Sequence, residues 1–224
     1  MDKKNNYSHL KQYCLDFDID LFGVADIKDV KKDFMISKGI IEKVDSAVCL
    51  GFGLSELVME ELSSLPTKLY SHHYKNVNTY LDQVALKVYN YISKKGYLAL
   101  PIPASQVIDW QTYDAHLSHR HVGNLAGLGW IGRNNLLVNK DLGCRFRLVS
   151  ILTNMPLKTD RPADIGCGDC KACINACPAG AIKEKVSDFD YKSCLHKLKE
   201  FQRQHIVEQY ICGVCVNACR GGKK

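Results

Sequence analysis

The sequence predicts an α+β protein: a helix-covered α/β sandwich over residues 1–155, followed by a cysteine-rich module over 156–224. Three observations predict it. Short apolar runs of strand length alternate with helix-periodic stretches as far as residue 155. At "MPLKTDRPADIG" that alternation stops, with two prolines and few apolar residues. Eight of the 11 cysteines then fall between Cys167 and Cys219.

The elements follow in order. "DLFGVADI" and "SAVCLGFGL" have the length and apolar density of buried strands, each followed by polar, helix-permissive sequence. In "YSHHYKNVNTYLDQVALKVYNYISKKG", Tyr70, Tyr74, Val77, Leu81, Val84, Val88 and Ile92 recur at steps of three and four. That spacing predicts one long helix whose aromatic-rich stripe is core, with Gly96 as its C-terminal stop. "YLALPIPA" reads as a strand broken by Pro101 and Pro103, and "AHLSHRHVGNLAGLG" as a helix ending in glycine. "NNLLVN" and "CRFRLVSILTN" read as two further strands, and the proline-bearing stretch after them as a linker.

Hydrophobic residues make up 46% of 224, an ordinary globular share that allows a sizeable core. The N-terminal stretch carries no signal-peptide pattern, and no run reaches the about 18 apolar residues of a membrane span. The expectation is a soluble, cytoplasmic protein with no membrane partner. Its formal net charge of +6 sits wholly in residues 140–224, with the cysteines. Eight thiolates around two clusters with doubly positive cores would remove about four charges. The basic residues therefore balance cluster charge, and pI alone is weak evidence for nucleic-acid binding.

"CGDCKACINACP" supplies Cys167, Cys170, Cys173 and Cys177 at spacings of two, two and three, closed by Pro178. This is the bacterial ferredoxin run for an iron–sulfur cluster. "CGVCVNAC" adds Cys212, Cys215 and Cys219, and Cys194 in "YKSCLHKL" lies between the two runs. In two-cluster ferredoxins the last cysteine of a run ligates the other cluster. The same logic pairs Cys167, Cys170, Cys173 and Cys219 on one [4Fe-4S] cluster, and Cys177, Cys194, Cys212 and Cys215 on a second. Four-cysteine zinc sites are the competing reading. The double two-residue spacing and Pro178 go against them. Cys14, Cys49 and Cys144, scattered among apolar or mixed neighbours, read as buried structural thiols.

In "AGLGWIGRNNLLV", Gly127, Gly129 and Gly132 either bring backbone close to something flat or serve a helix end and a tight turn. The stretch is not a phosphate loop, since the third glycine of that motif is missing. "DAHLSHRHVG" holds Asp114, His116, His119 and His121. His116 and His119 share a helix face, which allows metal ligation or proton transfer. The alternative is a solvated face with one histidine at the core edge.

On the glycine-rich stretch, on "LTNMPL" and above all on the cysteine order with Cys194 as the lone middle ligand, the chain resembles the epoxyqueuosine reductase-like family. These are cobalamin and iron–sulfur reductases related to reductive dehalogenases. The likeness runs from about Asp20 to Cys219 and is strongest in the C-terminal half. It implies a nitroreductase-like α/β domain followed by a two-cluster ferredoxin-like module. It further implies an oxidoreductase that passes electrons through two [4Fe-4S] clusters to cobalamin, held at Gly127, Gly129, Trp130, Gly132 and Arg133. A low-potential donor such as ferredoxin or flavodoxin would feed it, and the substrate would be a small molecule or tRNA. The family's V-D-[ST]-A-P stretch, which carries its proton donor, is absent. Asp114 is the nearest candidate, with His119 as the alternative. The region with which longer members hold tRNA is also missing beyond Cys219, and both departures count against epoxyqueuosine itself as substrate. A different class, an electron-transfer or corrinoid-carrying module for a partner enzyme, fits the same features.

Overall fold

The computed structural model describes residues 2–222. The chain forms two compact units that interleave along the sequence. Met1–Phe52, Asn78–Leu128 and Arg147–Ala163 make the first, and Gly53–Val77, Gly129–Phe146 and Asp164–Lys224 the second. The unit that holds the cysteines is thus larger than the contiguous 156–224 module expected from sequence.

The first unit opens with α1 (Lys3–Leu15), where the Asp2 carboxylate accepts the Lys4 N–H at 2.9 Å and caps the helix. Only Leu10 and Cys14 of this helix are buried, too few to mark an apolar period in the sequence. Next come β1 (Leu21–Asp26), the one-turn α2 (Lys38–Ile41) and β2 (Ser46–Gly53). β1 and β2 are antiparallel, with Leu21 opposite Gly51 and Asp26 opposite Ser46. After α3 (Glu56–Glu60) in the second unit, α4 (Lys68–Lys94) begins in the second unit and ends in the first. The expected stripe is its buried face: Leu81, Val84, Val88 and Ile92 are all fully buried. Each such side chain contributes about 1.5–3 kcal/mol. Gly96 stops the helix with φ +83, while the Tyr97 N–H returns to the Ile92 carbonyl.

β3 (Ala99–Ile102), α5 (His119–Leu125) and β6 (Phe146–Thr153) complete this unit, with the sheet in the order β1-β2-β6-β3. The two inner strands bury Val48, Cys49 and Leu50, and Val149, Ile151 and Leu152, without exposure. Burial on both faces is why they read as continuous apolar runs. Pro101 does not break β3; it pairs opposite Ile151. β3 is an edge strand, where a missing N–H leaves no ladder bond unmade. The helix expected around His119 is shorter than its sequence window, because residues 105–117 form a loop.

The stretch from Pro156 to Ala163 is not a free linker. The Asp160 carboxylate accepts from Tyr7 Oη at 2.9 Å and from the Val24 N–H at 3.0 Å, and the Asp160 N–H donates to the Val24 carbonyl at 2.7 Å. Prolines and few apolar residues gave it the look of a linker, but these hydrogen bonds and the buried side chain of Leu157 hold it down.

The second unit contains the ribbon β4 (Trp130–Ile131) and β5 (Leu137–Val138), antiparallel with Trp130 opposite Val138. Much of the expected "NNLLVN" strand is spent on the turn, where the Asn135 N–H donates to the Gly132 carbonyl at 2.9 Å. α6 (Ala172–Ala176), α7 (Tyr191–Arg203) and α8 (Val214–Ala218) follow. Met59, Leu62, Tyr70, Phe201, Val207 and Ile211 form one apolar core, and Trp130, Val138 and Cys144 form another. Among the described residues no helix is long and apolar enough to cross a membrane.

Candidate metal centre

The two cysteine runs fold alike. α6 and α8 are each five residues long and pack together. Each ends on a cysteine in extended conformation: Cys177 has ψ 113 and Cys219 has ψ 112. In each, the cap N–H returns three residues back, Cys177 to Ile174 and Cys219 to Val216. The chain therefore leaves both helices in the same way, carrying the last cysteine off the helix.

The thiols gather as two sets. Cys173 lies among Cys219, Cys167 and Cys170; burial and then these neighbours push its pKa up to about 11. Cys167, Cys170, Cys173 and Cys219 also line one small cavity, with Trp130, Arg133 and Asn134 on its walls. In the other set, Cys212 is pushed up to about 11 by burial, with the Cys194 and Cys177 thiols acting in the same direction. Burial and then Cys212, Cys194 and Cys177 raise Cys215, with Cys173 of the first set as the last contributor, while burial, Cys177 and Asp190 raise Cys194. Each set takes ligands from both runs, and four thiols per set is the donor number a [4Fe-4S] cluster requires. The residues present fit two such clusters.

Local sequence places several of these thiols. Asp190 caps α7 by accepting the Ser193 N–H at 3.0 Å, which sets Cys194 in the first turn. Gly213, between Cys212 and Val214, takes φ +80 and caps α8. Arg133 spreads its guanidinium over three carbonyls: Glu184 at 2.8 Å, Cys170 at 2.9 Å and Gly168 at 2.7 Å. It thereby fixes the loop of the first run.

The residues expected to hold a corrinoid are occupied with the chain's own contacts. A Cβ on Gly129 would lie 2.0 Å from the Val138 carbonyl oxygen, and one on Gly132 2.6 Å from Val138 Cγ2. Gly127, with φ +73, closes on the Arg161 carbonyl. Trp130 is buried, and its Nε1–H donates to Cys167 Sγ at 3.4 Å. At Gly129 and Gly132 the space a side chain would take is thus filled by Val138.

The three histidines face different partners. His116 Nδ1 lies 3.0 Å from the Met35 carbonyl. His119 is partly buried; its Nε2–H donates to the Pro103 carbonyl at 2.8 Å, so its Nδ1 accepts from Ser150 Oγ at 2.9 Å. Burial lowers its pKa to about 4, and the nearby Arg147 guanidinium acts the same way. It is therefore neutral at pH 7. Burial also lowers His121, helped by Arg120. Asp114 is exposed and bridges through its backbone to Asp109, whose own carboxylate accepts the Gln111 and Thr112 N–H groups. Among the described residues no hydrogen bond joins Asp114 to His119.

Cys14 and Cys49 are buried thiols, as expected, with Cys49 pushed up to about 12 by burial. Cys144 is also buried and lies in the cluster against which Cys219 packs; the interaction of the two thiols raises Cys144 and lowers Cys219. Cys144 lies 23 residues before the first run, and no spacing rule connects it to the ligands.

Residues 166–221 match the family described as 4Fe-4S double cluster binding domain. The epoxyqueuosine reductase of Escherichia coli (strain K12) is 39% identical over 84 residues, covering 38% of this chain and 22% of that protein. The chain thus spans about a fifth of that relative's length. Among solved structures, the catabolic reductive dehalogenase NpRdhA in complex with 3-bromo-4-hydroxybenzoic acid superimposes with a TM-score of 0.80 at 20% identity. That match covers 100% of this chain and 32% of the dehalogenase. Epoxyqueuosine reductase from Streptococcus thermophilus gives 0.64 at 17% identity, over 97% of this chain and 66% of its own. At these identities the two structures share the fold.

Proposed function

We propose that this chain, a relative of the epoxyqueuosine reductases, is an iron–sulfur oxidoreductase with two [4Fe-4S] clusters. Cys167, Cys170, Cys173 and Cys219 hold one; Cys177, Cys194, Cys212 and Cys215 hold the other. The supporting observation is the gathering of eight thiols into two sets of four that draw on both runs. The clusters, when bound, supply one-electron transfer at low potential. The chain's residues set their environment: Arg133 holds the first loop, α7 presents Cys194, and Trp130 covers Cys167.

The first unit, a nitroreductase-like sandwich on this reading, offers the place where a small-molecule or tRNA-borne substrate is reduced. A ferredoxin or flavodoxin serves as donor. Asp114 is preferred to His119 as proton source, because both ring nitrogens of His119 are already engaged. The family likeness supports a corrinoid acceptor near Gly127, Gly129, Trp130, Gly132 and Arg133, although Gly129 and Gly132 are occupied by packing against Val138. That same occupancy favours the second reading, an electron-transfer module acting on a partner enzyme. Iron and sulfide analysis of protein made without oxygen, with low-temperature EPR, tests the cluster assignment. About eight irons per chain supports it, and about four irons or zinc alone removes it.

A further inference from the structure

Two side chains outside the ligand sets point hydrogens at the first set. Trp130 Nε1–H reaches Cys167 Sγ at 3.4 Å. Buried Cys144 belongs to the same small cluster as Trp130 and Val138, and Cys167 and Cys219 both pack against that cluster. Close backbone packing creates this contact. Gly143 has φ +64, and a Cβ there would lie 2.0 Å from the Cys219 carbonyl oxygen. Only a glycine lets the Cys144 backbone pass so near.

The orientation of Cys144 is also supported from behind. Asn134 is buried, and its Nδ2–H donates to Cys144 Sγ at 3.1 Å while its Oδ1 accepts the Leu136 N–H at 3.3 Å. With one lone pair of Cys144 so engaged, its S–H faces the Cys215 and Val216 carbonyls, each at 3.9 Å, with Cys219 packed beside them as the third candidate acceptor. A ligand thiolate, being charged, is the strongest of the three. Among the described residues no side-chain hydrogen bond reaches the sulfur of Cys177, Cys194, Cys212 or Cys215; the Cys212 sulfur receives only the Val214 N–H.

Hydrogen bonds to ligand sulfur draw off negative charge, and a centre that becomes more negative on reduction is then easier to reduce. We infer that Cys144, oriented by Asn134, and Trp130 are positioning residues that raise the reduction potential of the Cys167/Cys170/Cys173/Cys219 cluster above that of its neighbour. The first cluster is then where an electron from the donor comes to rest within the pair. This inference rests on the two-cluster reading above.

The test is an EPR-monitored redox titration of the reconstituted holoprotein, with iron counted in every sample. Wild type titrates in two steps, and Cys194→Ala, which keeps only the first cluster, retains the higher one. Cys144→Ala lowers that higher midpoint by about 59 mV, a tenfold change in the reduced-to-oxidised ratio at fixed potential. The lower step does not move. Cys144→Ser, which keeps a donor, stays near wild type. Equal midpoints in Cys144→Ala and Cys144→Ser, or movement of the lower step instead, overturns the inference. Should Cys144→Ala lose iron, Trp130→Phe decides: a lowered first midpoint supports the inference, and an unmoved one overturns it. Four irons in well-loaded wild type overturns the ligand reading and this inference with it; eight irons with unmoved midpoints overturns the inference alone.

Discussion

The ring of Tyr70 closes over the backbone of Gly213: a methyl group at Gly213 would lie 2.6 Å from Tyr70 Cε1 and 2.7 Å from Cζ. Tyr70 opens the apolar stripe of α4, and Gly213 separates Cys212 from the helix that carries Cys215. The packing of a helix far back in the chain is thereby tied to the geometry of the second thiol set.

Gly213→Ala is expected to destabilise the protein by more than about 2 kcal/mol. The left-handed φ of +80 alone costs an alanine about 1–2 kcal/mol, and the Tyr70 ring must also move. Tyr70→Ala in the same background relieves the clash but leaves the backbone cost. Denaturant unfolding of the two single variants and the double variant measures both parts, and the double variant should be more stable than the sum of the singles predicts.

Arg133→Lys is expected to loosen the first run although it keeps the charge. The planar guanidinium reaches three carbonyls at 2.7–2.9 Å, which a single ammonium cannot reproduce in the same fork. Loss of the first cluster on exposure to air, followed by visible absorbance, should be faster than in wild type. An unchanged rate would show that the Arg133 contacts are incidental.

His119 should make the apo-protein acid-sensitive. Its pKa falls from about 6.5 in the unfolded chain to about 4 in the fold. The stability it contributes is present above pH 6.5 and is lost as pH falls towards 4, up to about 3 kcal/mol. His119→Gln should flatten the pH dependence of thermal unfolding between pH 6.5 and 4. A curve that keeps its wild-type slope would place the acid sensitivity elsewhere.

Cobalamin should either bind or be refused outright. Added to anaerobic holoprotein, it is expected to be retained on desalting if the corrinoid reading holds, and Co(I) should form on reduction with a low-potential donor. Gly129 substitutions are a poor probe of this, since a Cβ there collides with the Val138 carbonyl and disturbs the fold itself. Failure to retain cobalamin moves the preference to the electron-transfer module.

The sequence showed most clearly what depends on spacing. The cysteine runs, the stripe of α4 and the two inner strands all carry a period or an apolar run that survives in the fold. What stayed hidden depends on contacts between distant residues. Asp160 ties down a stretch with the composition of a linker, Pro101 is tolerated because β3 lies at an edge, and Cys144 reaches Cys219 across a turn made by Gly143. The glycines of "AGLGWIGRNNLLV" suit either a ligand or a neighbouring backbone, and in the fold Gly127 and Gly129 meet the Arg161 and Val138 carbonyls, which lie far along the chain or across a turn. For Asp114 the sequence offered proximity to an absent motif, and the fold leaves it exposed on a loop.

The cross-run ligand assignment is tested most directly by counting iron in Cys194→Ala beside Cys49→Ala, both made without oxygen. Cys194 lies outside both runs, whereas Cys49 is a fully buried thiol of the first unit. The account predicts about eight irons in wild type and Cys49→Ala, and a loss of up to about four in Cys194→Ala, with the EPR signal of one cluster gone. Equal iron in the two variants would contradict it and show that Cys194 is not the eighth ligand.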